Sequence, residues 1–179
     1  MRRVRRRVSE YDAVVYDLDG TLVDLPVDWS RVRTDVEAVL RDAGADPEGL
    51  VTWELYDCAE AVGVATEVEE IIASAERTSA ADAAALPLLA DVRESATPAA
   101  VCSLNCEAAC RIALDRHDAG ERFAAVVGRD TVPARKPDPA ALHRAIEALD
   151  VPPERVLFVG DADRDAETAR RAGTGFEYV

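Results

Sequence analysis

The residues best suited to chemistry stand together at Asp17-Leu18-Asp19-Gly20-Thr21. They follow the apolar run Ala13-Val14-Val15-Tyr16, which reads as a buried β-strand. Carboxylates are kept off the end of such a strand unless a metal, a proton or a ligand compensates their charge. Residues two apart on an extended chain project to the same side, so Asp17 and Asp19 are aimed at one place. Two acids so aimed suit nucleophilic catalysis, in which one attacks and the other handles the proton. The bland alternative is an Asp-Gly turn closing a strand, and the rest of the chain has to decide between them.

Hydrophobic periodicity outlines the elements that would position these acids. Residues 28–43 repeat apolar side chains at helical spacing (Val32, Val36, Val39, Leu40), with Asp28 or Ser30 as cap and Gly44 as stop. Residues 50–62 read as a second helix ended by Gly63. Residues 66–86 read as a third, opened by Thr66 and Glu69 at capping-box spacing. No strand signal occurs within 25–86, so that stretch is expected to be an all-helical insertion. Beyond it helices are predicted at 88–95, 107–116, 139–149 and 163–172, alternating with strands at 99–103, 123–127, 155–159 and 175–179. This alternation implies an α/β fold, a doubly wound and mainly parallel sheet covered by helices. In such sheets the ligand site lies at the carboxyl ends of the strands.

The remaining chemical residues fall at those ends. The second strand runs into Ser103-Leu104-Asn105, and the third is followed by Arg135-Lys136-Pro137-Asp138-Pro139. The fourth ends in Gly160-Asp161-Ala162-Asp163-Arg164-Asp165. Each has an ordinary explanation alone: a strand-end hydroxyl, a surface lysine, an acid at the positive end of a helix. At four successive strand ends, in this order, those explanations fail together.

These four motifs resemble those of the haloacid dehalogenase-like hydrolase superfamily, in its phosphatase branch with a small helical cap, phosphoglycolate phosphatase included. The resemblance covers the chain apart from its N-terminal arm. It implies a Rossmann-like core at 11–24 and 87–179, a cap at 25–86, and hydrolysis of a small phosphorylated metabolite through an aspartyl-phosphate. Asp17 would be the nucleophile and Asp19 the acid and base. Ser103 and Lys136 would bind the phosphoryl group, and Thr21 would orient the motif loop and support phosphate binding. Mg²⁺ would be the cofactor, held by Asp17, the backbone carbonyl of Asp19, Asp161, and Asp165 directly or through water. Asp163 would cap a helix. One departure is that Leu104 separates Ser103 from Asn105, where in the family Asn often follows the Ser directly.

Within the superfamily, the absence of a cap lysine argues against the Schiff-base reaction of phosphonoacetaldehyde hydrolases, and Asp19 argues against the dehalogenase branch. A sugar phosphomutase on the same scaffold is the alternative, with Arg31, Arg33 and Arg77 the basic residues its cap would offer. A non-catalytic phosphate-binding module is a weaker one. Trp29, Trp53 and Tyr56 are expected to pack the helical insertion rather than to line a pocket.

Composition narrows the field further. The chain has 179 residues, 49% hydrophobic and 31% charged, as expected of a soluble globular protein. No apolar run approaches the ~20 residues that span a bilayer. The net charge is −14 although Met1–Arg7 holds five arginines and no acid. That N-terminal arm, residues 1–10, is expected to be flexible and lacks the apolar stretch of a secretory signal. Nucleic-acid binding is disfavoured because the rest of the chain would repel phosphates. Among 21 basic residues Lys occurs once, at Lys136, the position where the motif needs a compact cation. Abundant acids with almost no lysine suggest a salt-rich cytosol, with codon bias as the plainer alternative. Cys58, Cys102, Cys106 and Cys110 lack metal-site spacing and read as small buried hydrophobes in a cytoplasmic protein. Oligomeric state leaves no mark in the sequence.

Overall fold

The computed structural model describes residues 9–179, apart from the side chains of Thr52 and Trp53. The first eight residues, and with them most of the basic arm, lie outside it. Five parallel strands form the central sheet, in the order β5 (Val126–Val127), β4 (Ala99–Cys102), β1 (Ala13–Tyr16), β6 (Val156–Gly160), β7 (Gly175–Tyr178). β1 is central, with Val14 opposite Ala99 on one side and Leu157 on the other. All four of its residues are buried, as the run of small and β-branched side chains requires of a strand covered on both faces.

The alternation of β1 divides the core. Val14 and Tyr16 join Val101, Leu157 and Val159 beneath α4 (Pro87–Glu94) and α5 (Glu107–Asp115). Ala13 and Val15 join Ala100, Cys102 and Phe158 beneath α6 (Ala140–Glu147) and α7 (Asp163–Ala172). A third cluster unites α1 (Trp29–Asp42), α2 (Thr52–Val62) and α3 (Ala65–Ala80) through Val36, Leu40, Leu55 and Val68. α3 serves both groups, since its Ala73 and Ala80 pack in the first sheet cluster. Asp28 caps α1 by accepting the Arg31 N–H at 3.0 Å.

The insertion departs from expectation at its end. α3 stops at Ala80, and Ala84–Ala85 (β3) pairs antiparallel with Val23–Asp24 (β2). The run of small residues here lets the chain leave the helix and close a ribbon beside the first motif. Nor does Thr66 cap α3. The N-cap is Val64, and Glu69 turns instead to Arg129, a bidentate ion pair stronger than a capping bond. Among the described residues no helix is long and apolar enough to cross a membrane.

Candidate active site

β1, β4 and β6 end side by side, and their next residues form the floor of one site. Asp17 follows β1, and its N–H bonds the Val159 carbonyl of β6 at 2.9 Å. The chain then turns at Gly20 with φ +77°, where a Cβ would lie 2.4 Å from an Asp161 oxygen. Any other residue would be strained at that φ, and its Cβ would push the Asp161 carboxylate aside. One carboxylate oxygen each from Asp17, Asp161 and Asp165 lies within 4.8 Å of the others. Hard oxygens converging in this way fit a divalent cation such as Mg²⁺.

Lys136 enters from the loop after β5. Its buried ammonium donates to Asp17 Oδ1 and Asp165 Oδ1, each at 2.8 Å. For this lysine burial opposes the charge, but Asp17, Cys102 and Asp165 outweigh it and hold the group above the ordinary lysine value. Burial pushes Asp17 up, Lys136 pulls it down and Asp165 pushes it up again, leaving it at about 6. Asp19 is half-buried and accepts the Leu25 N–H at 2.8 Å. Its carboxyl is also raised, chiefly by burial.

Above this floor lies a cavity of about 750 Å³. Asp17, Asp19, Ser103 and Asp161 line its base, while Trp29, Arg33, Leu55, Tyr56 and Ile72 line the opposite wall. Trp29 is 49% exposed and faces the cavity rather than packing the helices as expected. Tyr56 does both, with the Arg135 guanidinium 3.9 Å from its ring centroid. Arg31 and Arg77 are not among the residues lining the cavity and pair with Asp35 and Glu70. Thr21 is buried behind the loop, outside the lining, and its Oγ1 has no hydrogen-bond partner among the described residues. Asp163 opens α7 and accepts the Tyr178 hydroxyl at 2.8 Å, while Ala162 is the cap. All four cysteines are free thiols; Cys102, Cys106 and Cys110 are buried, and Cys58 is partly so.

Sequence reasoning missed the ionic wall of the cavity. Glu76 of α3, 1% exposed, pairs with Arg129, 7% exposed, at 2.7 Å. Arg129 also holds Glu69 at 2.7 Å and the Leu104 carbonyl at 2.6 Å. A signal existed for Glu76: Val68, Ile72, Glu76 and Ala80 recur every fourth residue, so an acid interrupts a buried stripe. Arg129 carried no local signal.

Comparison with known proteins agrees with this architecture. Residues 58–179 match the model of a family described as haloacid dehalogenase-like hydrolase. Phosphoglycolate phosphatase 1 of Pseudomonas aeruginosa is 31% identical over 182 residues, covering 89% of this chain and 66% of that protein. The phosphoglycolate phosphatase of Cereibacter sphaeroides is 33% identical over 189 residues, covering 91% and 82%. The chain thus spans about two thirds or more of the length of these relatives. The crystal structure of CbbY from Rhodobacter sphaeroides in complex with phosphate shares the fold, with a TM-score of 0.61, 21% identity, and coverage of 94% and 85%. By its family match, its relatives and its fold, the chain belongs to the haloacid dehalogenase-like hydrolases.

Proposed function

We propose that this protein is a Mg²⁺-dependent phosphatase that hydrolyses a small phosphomonoester through an aspartyl-phosphate on Asp17. The observation that carries this reading is the pairing of Asp17, on the floor of the cavity, with the buried Lys136 behind it at 2.8 Å. In-line phosphoryl transfer needs a nucleophile and neutralisation of charge on the phosphoryl oxygens. Asp17 attacks phosphorus, and the ester oxygen leaves with a proton from Asp19. Burial raises the Asp19 carboxyl above its ordinary value, the direction that favours the protonated form a general acid needs. Asp19 then takes a proton from the water that hydrolyses the acyl phosphate. Ser103 and Lys136 donate to the phosphoryl oxygens. Asp17, Asp161, Asp165 and the Asp19 carbonyl would hold Mg²⁺, which when bound supplies further positive charge to those oxygens.

Residues 25–86, three helices closed by the short strand β3, serve as the cap, and 11–24 with 87–179 as the catalytic core. The cap bounds the substrate, and the cavity size suits a small metabolite. Arg164 lines the cavity, and its guanidinium has no hydrogen bond or ion pair among the described residues. A substrate with a second anionic group, as in phosphoglycolate, fits that cation. The free thiols agree with a reducing, cytoplasmic location.

The test is hydrolysis of p-nitrophenyl phosphate with Mg²⁺ and with EDTA. Turnover is expected only with the metal, and Asp17→Asn is expected to lower it by at least about a thousandfold. Wild-type rates in that variant would remove Asp17 as nucleophile.

A further inference from the structure

Ser103 is held in place by a chain of contacts that begins on α3. Its Oγ donates to Asn105 Oδ1 at 3.1 Å and accepts the Asn105 N–H at 3.2 Å. The other end of the Asn105 amide, Nδ2, donates to Glu76 Oε1 at 3.3 Å. An amide has one accepting and one donating end, and a carboxylate only accepts. Glu76 therefore takes the NH₂ and turns Oδ1 toward Ser103. Glu76 Oε2 also accepts the Cys106 N–H at 2.9 Å, so one carboxylate grips two residues of the loop.

Arg129 grips the loop from the other side. Besides pairing with Glu76, it donates to the Leu104 carbonyl at 2.6 Å, and its backbone N–H bonds the Asn105 carbonyl at 2.9 Å. Preceding it, Gly128 lies so close to the loop that a Cβ would fall 2.2 Å from the Glu107 nitrogen. Every polar atom in this assembly has a definite partner, and the two charges are buried together. Such a network fixes one geometry, because each alternative leaves a buried group unsatisfied.

We propose that Asn105, oriented by Glu76 and Arg129, is the positioning residue for Ser103: its N–H and Oδ1 hold the Oγ in place, and when phosphate binds the single hydroxyl proton turns from Oδ1 to a phosphoryl oxygen while the N–H keeps its grip, so that α3 sets the phosphoryl-binding geometry. The single intervening residue, Leu104, is what allows this: both the backbone N–H and the side chain of Asn105 reach back to one Oγ. The inference rests on the phosphatase reading for the role of Ser103, but not for the existence of the relay.

A double-mutant cycle with Ser103→Ala tests it, reading kcat and KM for p-nitrophenyl phosphate and the binding of inorganic phosphate by calorimetry. Asn105→Ala is expected to lower kcat/KM and phosphate affinity about tenfold in the wild-type background, and less than about twofold once Ser103 is Ala. Glu76→Gln can present its own NH₂ to Asn105 and turn the amide over, so the same pattern is expected. Because Glu76→Gln strips Arg129 of a counter-charge and can unfold the chain, Glu76→Gln/Arg129→Gln serves as the charge-neutral second variant. It is expected to recover the melting temperature without recovering activity. Effects that multiply independently of Ser103, or activity that returns with stability, would overturn the proposal. If the wild type hydrolyses no phosphomonoester, the phosphatase reading fails, and the phosphate-binding arm still decides on the relay.

Discussion

Replacing Asp17 by Asn should make the metal-free protein more stable at neutral pH while abolishing turnover. Asp17 is raised from 3.8 to about 6, burial being the largest cause. A carboxyl whose folded value exceeds its unfolded value favours the fold while protonated. That contribution is complete below pH 3.8 and is lost as the pH rises through about 6. At about 1.4 kcal/mol per pH unit, ionising Asp17 costs the apo fold about 3 kcal/mol by pH 7.5. For a domain of this size that is about 6–12 °C in Tm. Asn is neutral and nearly isosteric, its carbonyl can still accept from Lys136, and Asp165 at 2.8 Å remains as the counter-charge of that lysine. In EDTA at pH 7.5 the variant should therefore melt above the wild type, and the gap should shrink as the pH falls toward 4. Mg²⁺ at a hundred times its Kd returns about 2.7 kcal/mol to the wild type, so saturating metal should close or reverse the gap. Differential scanning fluorimetry across pH 4–8, with and without Mg²⁺, reads all of this. An Asn variant that melts below the wild type in EDTA at pH 7.5 would refute the reasoning.

Three further outcomes are expected. Lys136→Met leaves Asp17 and Asp165 buried beside each other without their cation. Breaking a buried pair costs about 3–5 kcal/mol, so calorimetry should show Tm lowered by roughly 6–20 °C and steady-state assays a large loss of turnover. Arg164→Gln should raise KM for phosphoglycolate by about tenfold, the worth of one charge-assisted hydrogen bond, and leave p-nitrophenyl phosphate within about twofold; equal changes for both would remove Arg164 as an anion contact. The charge of −14 should make the denaturation midpoint rise from low to molar KCl by screening, and a flat response would dismiss the salt-rich reading.

What the sequence made legible was local. Val14-Val15-Tyr16-Asp17 announces a buried strand ending in an acid, and Ser103 and Asp161 announce themselves in the same way, because strand periodicity and an odd polar residue are read within a few positions. Lys136 was legible because the chain spends its single lysine there. The ribbon of Val23–Asp24 with Ala84–Ala85 was not: Ala-Asp-Ala-Ala-Ala has the composition of a helix, and only the partner strand, some sixty residues earlier, makes it extended. Glu69 has the spacing of a helix cap, but a buried arginine sixty residues downstream offers a better bond. Trp29 looks like a core residue by type and stands at the cavity because α1 begins there. The Glu76–Arg129 pair shows the limit best. Its members are 53 positions apart, so neither predicts the other, and only the packing of α3 beside the loops after β4 and β5 brings them together.

Trapping the covalent intermediate tests the role of Asp17 most directly. Borohydride reduces an acyl phosphate to the alcohol, converting the phosphorylated aspartate to homoserine. Protein quenched with borohydride during turnover of a phosphomonoester with Mg²⁺ should yield homoserine at position 17, found by peptide mass mapping, and Asp17 unchanged when substrate is omitted. Steady turnover with position 17 unmodified, or with the modification at Asp19 or Asp161 instead, would contradict the assignment.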